Sequence, residues 1–268
     1  VCKNLEKLVI IPTYNEKDNI ENIINAVFDL QKDYHVLVID DGSPDGTASL
    51  VKALMKVFPD TLFLEERRGK AGLGTAYIHG FRWALNKGYK FIFEMDADFS
   101  HNPKDLERLY TVCKQGAGMA VGSRYVKGGS VENWPWDRIL LSKGASLYTR
   151  LITWMPVKDP TAGFVCYRRE VLETMNFSGI RFVGYAFQIE MKFAVWKLDF
   201  LIAEVPITFI DRKFGDSKMN KGIVKEGILG VLKLRWLSIF KNYRSNVKNY
   251  PAVDVTAFPQ QEIALERK

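Results

Sequence analysis

Three short runs decide the fold: Lys7-Leu-Val-Ile-Ile-Pro12, His35-Val-Leu-Val-Ile-Asp40 and Lys90-Phe-Ile-Phe-Glu-Met95. Each is strand-length, apolar without alternation, and followed by polar residues. A strand with one face in water alternates; one covered on both faces does not. The segments between them have helical periodicity. In 15–30, Ile20, Ile23, Ile24, Val27 and Phe28 recur on one face. The stretch 45–57 reads as helix, 61–64 as strand, and 73–85 as helix, with Gly88 at its C-cap. Pro103 opens a further helix, and Met119-Ala-Val-Gly122 is a fifth strand. This βαβα order predicts an α/β fold whose mostly parallel central sheet is flanked by helices. Beyond it, 138–154 and 222–243 read as helices, and 162–167 and 200–210 as strands. One domain is expected over 1–245, followed by a tail, 246–268, that carries Pro251 and Pro259.

Composition removes several classes. The chain has 268 residues, 47% hydrophobic and 26% charged, which excludes disorder and collagen-like repetition. Cys2, Cys113 and Cys166 are three, widely spaced and without CxxC, so neither a disulfide scaffold nor a structural zinc site is expected. A reducing, cytoplasmic compartment follows. No run reaches the roughly 18 uncharged apolar residues of a membrane span. The nearest, 223–240, is broken by Lys225, Glu226, Lys233 and Arg235, and the first apolar run is unlike a signal peptide. The net charge of +7 points to anionic partners: phosphates, a membrane surface or nucleic acid.

The polar residues gather where such a sheet binds ligands, at the carboxyl ends of its strands. Those ends read Pro12-Thr-Tyr-Asn-Glu16, Asp40-Asp-Gly-Ser-Pro-Asp-Gly46, Asp96-Ala-Asp98 and Gly122-Ser-Arg-Tyr125. Asp96 and Asp98, two apart on a strand, would share a face. Hard carboxylate oxygens in small number suit Mg²⁺ or Mn²⁺ shared with the phosphates of a substrate. The plainer role is a helix N-terminal acid before Asn102-Pro103. Glycosidase carboxylates are a rival, but nothing in the sequence keeps one acid protonated, and Lys70, Arg124, Arg212 and Lys218 suit phosphate oxygens better. The stretch Gly69-Lys-Ala-Gly-Leu-Gly-Thr75 matches neither a P-loop nor a dinucleotide fingerprint. It serves either as a plain helix entry or as a loop bringing Lys70 to a phosphate. A nucleic-acid module would account for the positive charge but not for the acidic strand ends, so nucleic acid is not an expected partner.

Taken together, Val9-Ile-Ile-Pro-Thr-Tyr-Asn-Glu16, Asp40-Asp-Gly-Ser-Pro-Asp-Gly-Thr47, Asp96-Ala-Asp-Phe-Ser-His101, Asp159-Pro-Thr-Ala-Gly-Phe164 and Arg212…Gly215-x-Ser-Lys218 resemble glycosyltransferase family 2, of GT-A fold. Within it the chain is similar to the short dolichyl- and polyprenyl-phosphate mannose synthases without transmembrane hairpins. The resemblance implies a sugar-nucleotide donor held by Pro12, Tyr14, Glu16, Ile39 and Asp41. It places the diphosphate and metal at Ala97, Asp98 and Ser100, where some relatives carry Gln in place of Ser100. It assigns phosphate contacts to Arg124, Arg212 and Lys218, and the acceptor phosphate to Arg138 and Ser142 beside Arg124. Asp96, Asp98, Arg124 and Arg138 would carry catalysis. The implied reaction is an inverting transfer of mannose from GDP-mannose to a polyprenyl phosphate. Other donors such as UDP-glucose, other acceptors, and a sugar nucleotidyltransferase are the alternatives. The last would normally carry a Gly-rich loop where Pro12-Thr-Tyr-Asn stands.

A lipid acceptor implies a peripheral position at the cytoplasmic face of a membrane. The segment 222–243 is expected to be an amphipathic helix lying on lipid, or one packing its apolar side on the core. A small membrane-spanning partner covering it is a third possibility.

Overall fold

The computed structural model describes residues 5–184, 186–211, 221–239 and 241–244 and a strand at Ala264–Leu265, with backbone alone for 221–226 and 264–265. The first half alternates β1 (Lys7–Thr13), α1 (Lys17–Phe28), β2 (Tyr34–Asp40), α2 (Thr47–Leu54), β3 (Leu62–Glu66), α3 (Leu73–Lys87), β4 (Phe91–Glu94), α4 (Leu106–Lys114) and β5 (Met119–Ser123). Then come β6 (Ser130–Glu132), α5 (Trp136–Thr153), β7 (Val165–Arg168), α6 (Arg169–Thr174), α7 (Phe187–Lys197), β8 (Ile202–Pro206), β9 (Thr208–Ile210), α8 (Lys221–Leu237) and β10 (Ala264–Leu265).

The eight-stranded sheet runs β10-β8-β5-β7-β4-β1-β2-β3. β1 pairs in parallel with β2 and β4, and β5 with β8. The expected parallel sheet is therefore present, but β7 enters antiparallel between β4 and β5. β10 pairs antiparallel with β8 at the edge. The predicted strand 200–210 divides in two: β8 stays in the large sheet, and β9 joins β6 in a small parallel pair. The break falls at Ile207, whose amide donates to Ser123 and whose carbonyl accepts from Ser130.

The unbroken apolar strands are explained by two cores, one on each side of the sheet. Leu8, Ile10, Leu37 and Ile39 pack with Tyr77, Phe81 and the helix α7 residues Phe187 and Phe193. Their strand neighbours Val9, Ile11, Val36 and Val38 pack on the opposite face with Ile20, Ile24 and Leu109. All four residues 8–11 are fully buried, and each such side chain contributes about 1.5–3 kcal/mol by leaving water. After β1 the chain winds outward to β3, then returns across to β4 on the other side of β1. That reversal opens a crevice beyond the strand ends, the place where open α/β sheets bind ligands.

α5 begins at Trp136, two residues earlier than the periodicity predicts, and packs along α8, where the Tyr148 hydroxyl donates to the Ile228 carbonyl at 3.1 Å. α8 ends at Leu237, short of the predicted 243, because Tyr243 folds back into the core and its carbonyl accepts from the Asn176 amide. Among the described residues no helix is long and apolar enough to cross a membrane.

Candidate active site

A cavity of about 270 Å³ occupies the crevice. Its lining includes Pro12, Tyr14 and Glu16 after β1, Asp41 after β2, Lys70 and Leu73 at the entry to α3, and Asp96, Ala97 and Asp98 after β4. Eight of the residues singled out in the sequence thus meet in one space, brought there by four separate segments. Ile39 does not line it. That side chain is fully buried in the core, where its Cδ1 lies 3.0 Å from where a Cβ on Gly80 would stand.

The two carboxylates reach the cavity by a turn, not by the predicted strand continuation. β4 ends at Glu94, and the Asp96 amide donates to Nδ1 of His101 at 3.2 Å instead of to a neighbouring strand. Phe99 then takes a positive φ of 60°, and the Asp98 carboxylate accepts the Ser100 amide at 3.0 Å. His101 is buried and stacked on Phe164, and burial lowers its pKa, so the neutral ring accepts at Nδ1. It orients the Asp96 backbone. Ser100 is buried and does not line the cavity.

Asp98 also borders a second cavity of about 680 Å³ shared with Asn19, Asn102, Ile210 and Asp211. Asp211 accepts from Arg138 at 2.9 Å, and the Arg138 guanidinium stacks over Trp134 at 4.1 Å from the ring centre. Arg138 on α5 is thereby tied to the Asp98 side of the crevice. The Ser142 hydroxyl accepts from Tyr125 at 2.6 Å. Arg212 and Lys218 lie outside the described residues.

Arg124 is held more firmly. Its amide, Nε and Nη2 all donate to the fully buried Asp159 carboxylate, at 3.0, 2.7 and 2.6 Å, and Nη2 also reaches Thr161. Burial pushes the Asp159 carboxyl up, but Arg124 outweighs it and the net pKa falls. Behind this pair, Glu204 accepts the amides of Lys158 and Asp159. A second buried group lies under the Asp96 turn. Glu94 accepts from Gln188 at 2.6 Å and Tyr167 at 3.1 Å, while Lys192 donates to Gln188 and to the Ala162 carbonyl at 2.6 Å. Burial raises the pKa of Glu94 and lowers that of Lys192.

Sequence reading missed several of these partners. Arg67 grips Asp41 in a two-point ion pair at 2.6 and 2.8 Å and also reaches Thr75. Asp40 likewise serves the fold, accepting from Thr13 and from Ser43. Nothing in local spacing links Arg67 to Asp41 or Lys192 to Glu94; only Asp159-Pro-Thr-Ala-Gly stood out as a motif. Chemically, the cavity offers clustered carboxylate oxygens from Asp96 and Asp98 beside Lys70, whose ammonium lies 4.8 Å from the centre of the Tyr14 ring. Among the described residues no group of three or more acids, histidines or cysteines could enclose a cation alone. The donor set therefore fits a hard divalent ion whose remaining ligands come from phosphates.

Comparison with known proteins decides the family. The model of glycosyl transferase family 2 matches residues 8–175, which include the whole cavity lining. The chain belongs to glycosyltransferase family 2. It is a glycosyltransferase, with the GT-A-like architecture of that family. It is 47% identical over 224 residues to the polyprenol monophosphomannose synthase of Mycolicibacterium smegmatis, covering 84% of each chain. It is 42% identical to the undecaprenyl-phosphate mannosyltransferase of Micrococcus luteus, covering 85% of this chain and 95% of that one. A solved glucosyl-3-phosphoglycerate synthase from Mycobacterium tuberculosis, in complex with Mn²⁺ and UDP-glucose, superposes with a TM-score of 0.62 at 18% identity, over 87% of this chain and 80% of that one. A mannosyltransferase from Pyrobaculum calidifontis, in complex with GDP-Man and Mn²⁺, gives 0.56 at 18%, over 90% of this chain and 66% of that one. These two share the fold. A sugar nucleotidyltransferase is not favoured.

Proposed function

We propose that this family 2 enzyme transfers mannose from GDP-mannose to a polyprenyl phosphate, with inversion at the sugar C1. The observation that supports the reading best is the convergence of Pro12, Tyr14, Glu16, Asp41, Lys70, Asp96 and Asp98 on one crevice, in a chain 47% and 42% identical to relatives named for polyprenyl-phosphate mannosylation. The nucleoside lies along the β1 and β2 ends, and the diphosphate meets Lys70 and Asp98. A divalent ion, Mg²⁺ or Mn²⁺, held by Asp98 with Asp96 close by, supplies positive charge to the diphosphate.

A phosphate monoester has a second pKa of about 6, so the acceptor is largely a dianion at neutral pH and needs no base. One of its oxygens forms the new bond to C1 as the bond from C1 to the diphosphate oxygen breaks. No proton moves. The task left to the protein is to bring two anions together. Arg138 and Arg124, with the Ser142 hydroxyl, hold the acceptor phosphate, and Asp159 and Asp211 fix the two guanidinium groups in place. Arg212 and Lys218 add phosphate contacts.

The acceptor's tail calls for a lipid surface, and α5 and α8 supply one. Trp136, Leu140 and Leu151 on α5, Trp154 just beyond its end, and Ile228, Leu232 and Trp236 on α8 are exposed, Trp136 and Trp154 at 77% and 72%. Val231 and Leu234 of α8 are meanwhile buried in the core, so the helix packs on the domain with one face and leaves an apolar face outward. Bilayer contact through this face, at the cytoplasmic side of a membrane, accounts for it without a small membrane-spanning partner. Sedimentation with anionic vesicles, reversed by high salt, is the expected result; a protein that stays in solution at low salt returns the tether to such a partner or to the acceptor.

Calorimetry tests the donor reading. GDP-mannose should bind in the presence of Mg²⁺ or Mn²⁺ and bind much more weakly in EDTA, and UDP-glucose should bind poorly. Equal binding of both nucleotides, or binding indifferent to the ion, would overturn it.

A further inference from the structure

A third cavity, of about 350 Å³, opens beside α5; Arg124 and Tyr125 stand in its wall, while Lys143, Ser146, Leu147 and Arg150, which also line it, have no role above. Arg124, Lys143, Arg150 and Lys158 line it, and among the described residues no acidic side chain does. Asp159 neutralises Arg124, so Lys143 and Arg150 set the charge of this space. Ser146 lines it too. Ser146 is 3% exposed, and its hydroxyl has no hydrogen-bond partner among the described residues. A buried hydroxyl can both donate and accept, and leaving it unpaired is costly. Serine at this position is explained if a ligand completes its bonding.

We propose that this cavity is a second phosphate-binding pocket, in which Ser146, Lys143 and Arg150 take the phosphate group of a lipid headgroup or of a soluble phosphate ester. Residues 143, 146 and 150 follow one another at helical spacing, so one face of α5 presents two cations around the hydroxyl. Leu147, 55% exposed, belongs to the same lining, which sets the anion site directly against the apolar surface of α5. That juxtaposition suits a phosphate attached to lipid, since basic pockets at membrane surfaces take such headgroups. The pocket shares Arg124 with the acceptor site proposed above, but Lys143, Ser146 and Arg150 take no part there, so the test below reads these three.

Two arms test it on the full chain. Crystals soaked in tungstate, a phosphate mimic seen by anomalous scattering, should show a peak within hydrogen-bond reach of Ser146 Oγ. In parallel, binding to phosphatidylglycerol vesicles is compared for wild type, Lys143→Ala/Arg150→Ala, Ser146→Ala and the control Lys32→Ala/Lys56→Ala. The control removes the same charge from two exposed lysines elsewhere. If a lipid phosphate occupies the pocket, the pocket double and Ser146→Ala each lose about tenfold in affinity while the control does not, the size expected for hydrogen bonds to a charged group. A tungstate peak with no such difference on vesicles assigns the pocket to a soluble phosphate. An empty pocket in tungstate, together with vesicle binding that falls equally in both doubles or in neither, overturns the proposal. Because the tungstate arm needs no bilayer, failure of the lipid-surface reading leaves this test intact.

Discussion

Replacing Asp159 by Asn removes one charge and almost no volume. The carboxylate is fully buried and accepts from the amide, Nε and Nη2 of Arg124, with the Thr161 hydroxyl 3.3 Å away. An asparagine side chain keeps one acceptor oxygen and turns an NH₂ group toward guanidinium donors. Arg124, itself 9% exposed, is left charged with little water to compensate. Breaking a buried pair from one side costs about 3–5 kcal/mol. Set against a total stability of roughly 5–15 kcal/mol, and at about 2–4 °C per kcal/mol for a chain of this size, Asp159→Asn should lower Tm by about 10 °C. Scanning calorimetry reads this directly. Adding Arg124→Met to the variant removes the orphaned charge and should recover part of the loss. The sign of the pH dependence follows from the lowered pKa of Asp159. Its contribution is complete above the ordinary carboxylate range and vanishes as pH falls through the folded value, so wild type and Asp159→Asn should converge below about pH 4. A Tm within about 2 °C of wild type at pH 7 would refute the clamp, since surface substitutions alone produce changes that small.

Three other substitutions probe the account elsewhere. Asp98→Ala should abolish divalent-dependent transfer while circular dichroism and Tm stay near wild type; near-native turnover would remove Asp98 from the ion. Arg138→Ala should reduce acceptor kcat/KM by about tenfold or more, the worth of one charge-assisted phosphate contact, with donor affinity by calorimetry nearly unchanged. Lys192→Met strips Glu94 of its buried counter-charge, so the Glu94 pKa rises further above the carboxylate range; the folded state then holds a proton that the unfolded state has released, and urea-derived stability should fall as pH rises from about 5 to 8, by up to about 1.4 kcal/mol per unit. A flat profile in that range would show that Lys192 does not balance Glu94.

What could be read in the sequence was what repeats or clusters locally. Unbroken apolar runs such as 8–11 announce strands covered on both faces, and acids at strand ends announce a crevice. Pairings across long separations carry no such signal. The antiparallel entry of β7 looks, residue by residue, like any buried strand; only its placement between β4 and β5 reveals direction. Arg67 lies 26 residues from Asp41, and Glu94 lies 94 from Gln188, so no periodicity could join them. The turn at Asp96–Asp98 escaped for another reason. A histidine five residues along takes the backbone amide that a strand would have used, and spacing alone does not distinguish the two. Amphipathic helices were half legible: periodicity gave α8 its apolar residues but not the division between Leu234 in the core and Trp236, 68% exposed, outside it.

The central claim is mannosyl transfer to a polyprenyl phosphate, and product analysis tests it most directly. Purified enzyme is incubated with Mg²⁺ or Mn²⁺, a polyprenyl phosphate, and either GDP-mannose or UDP-glucose, and the lipid extract is examined by mass spectrometry and by NMR at the anomeric centre. The account predicts a hexosyl-phosphate lipid from GDP-mannose alone, β-configured, and none in EDTA or with Asp98→Ala. A glucosyl lipid formed preferentially from UDP-glucose, or a product that retains the α-configuration of the donor, would contradict it.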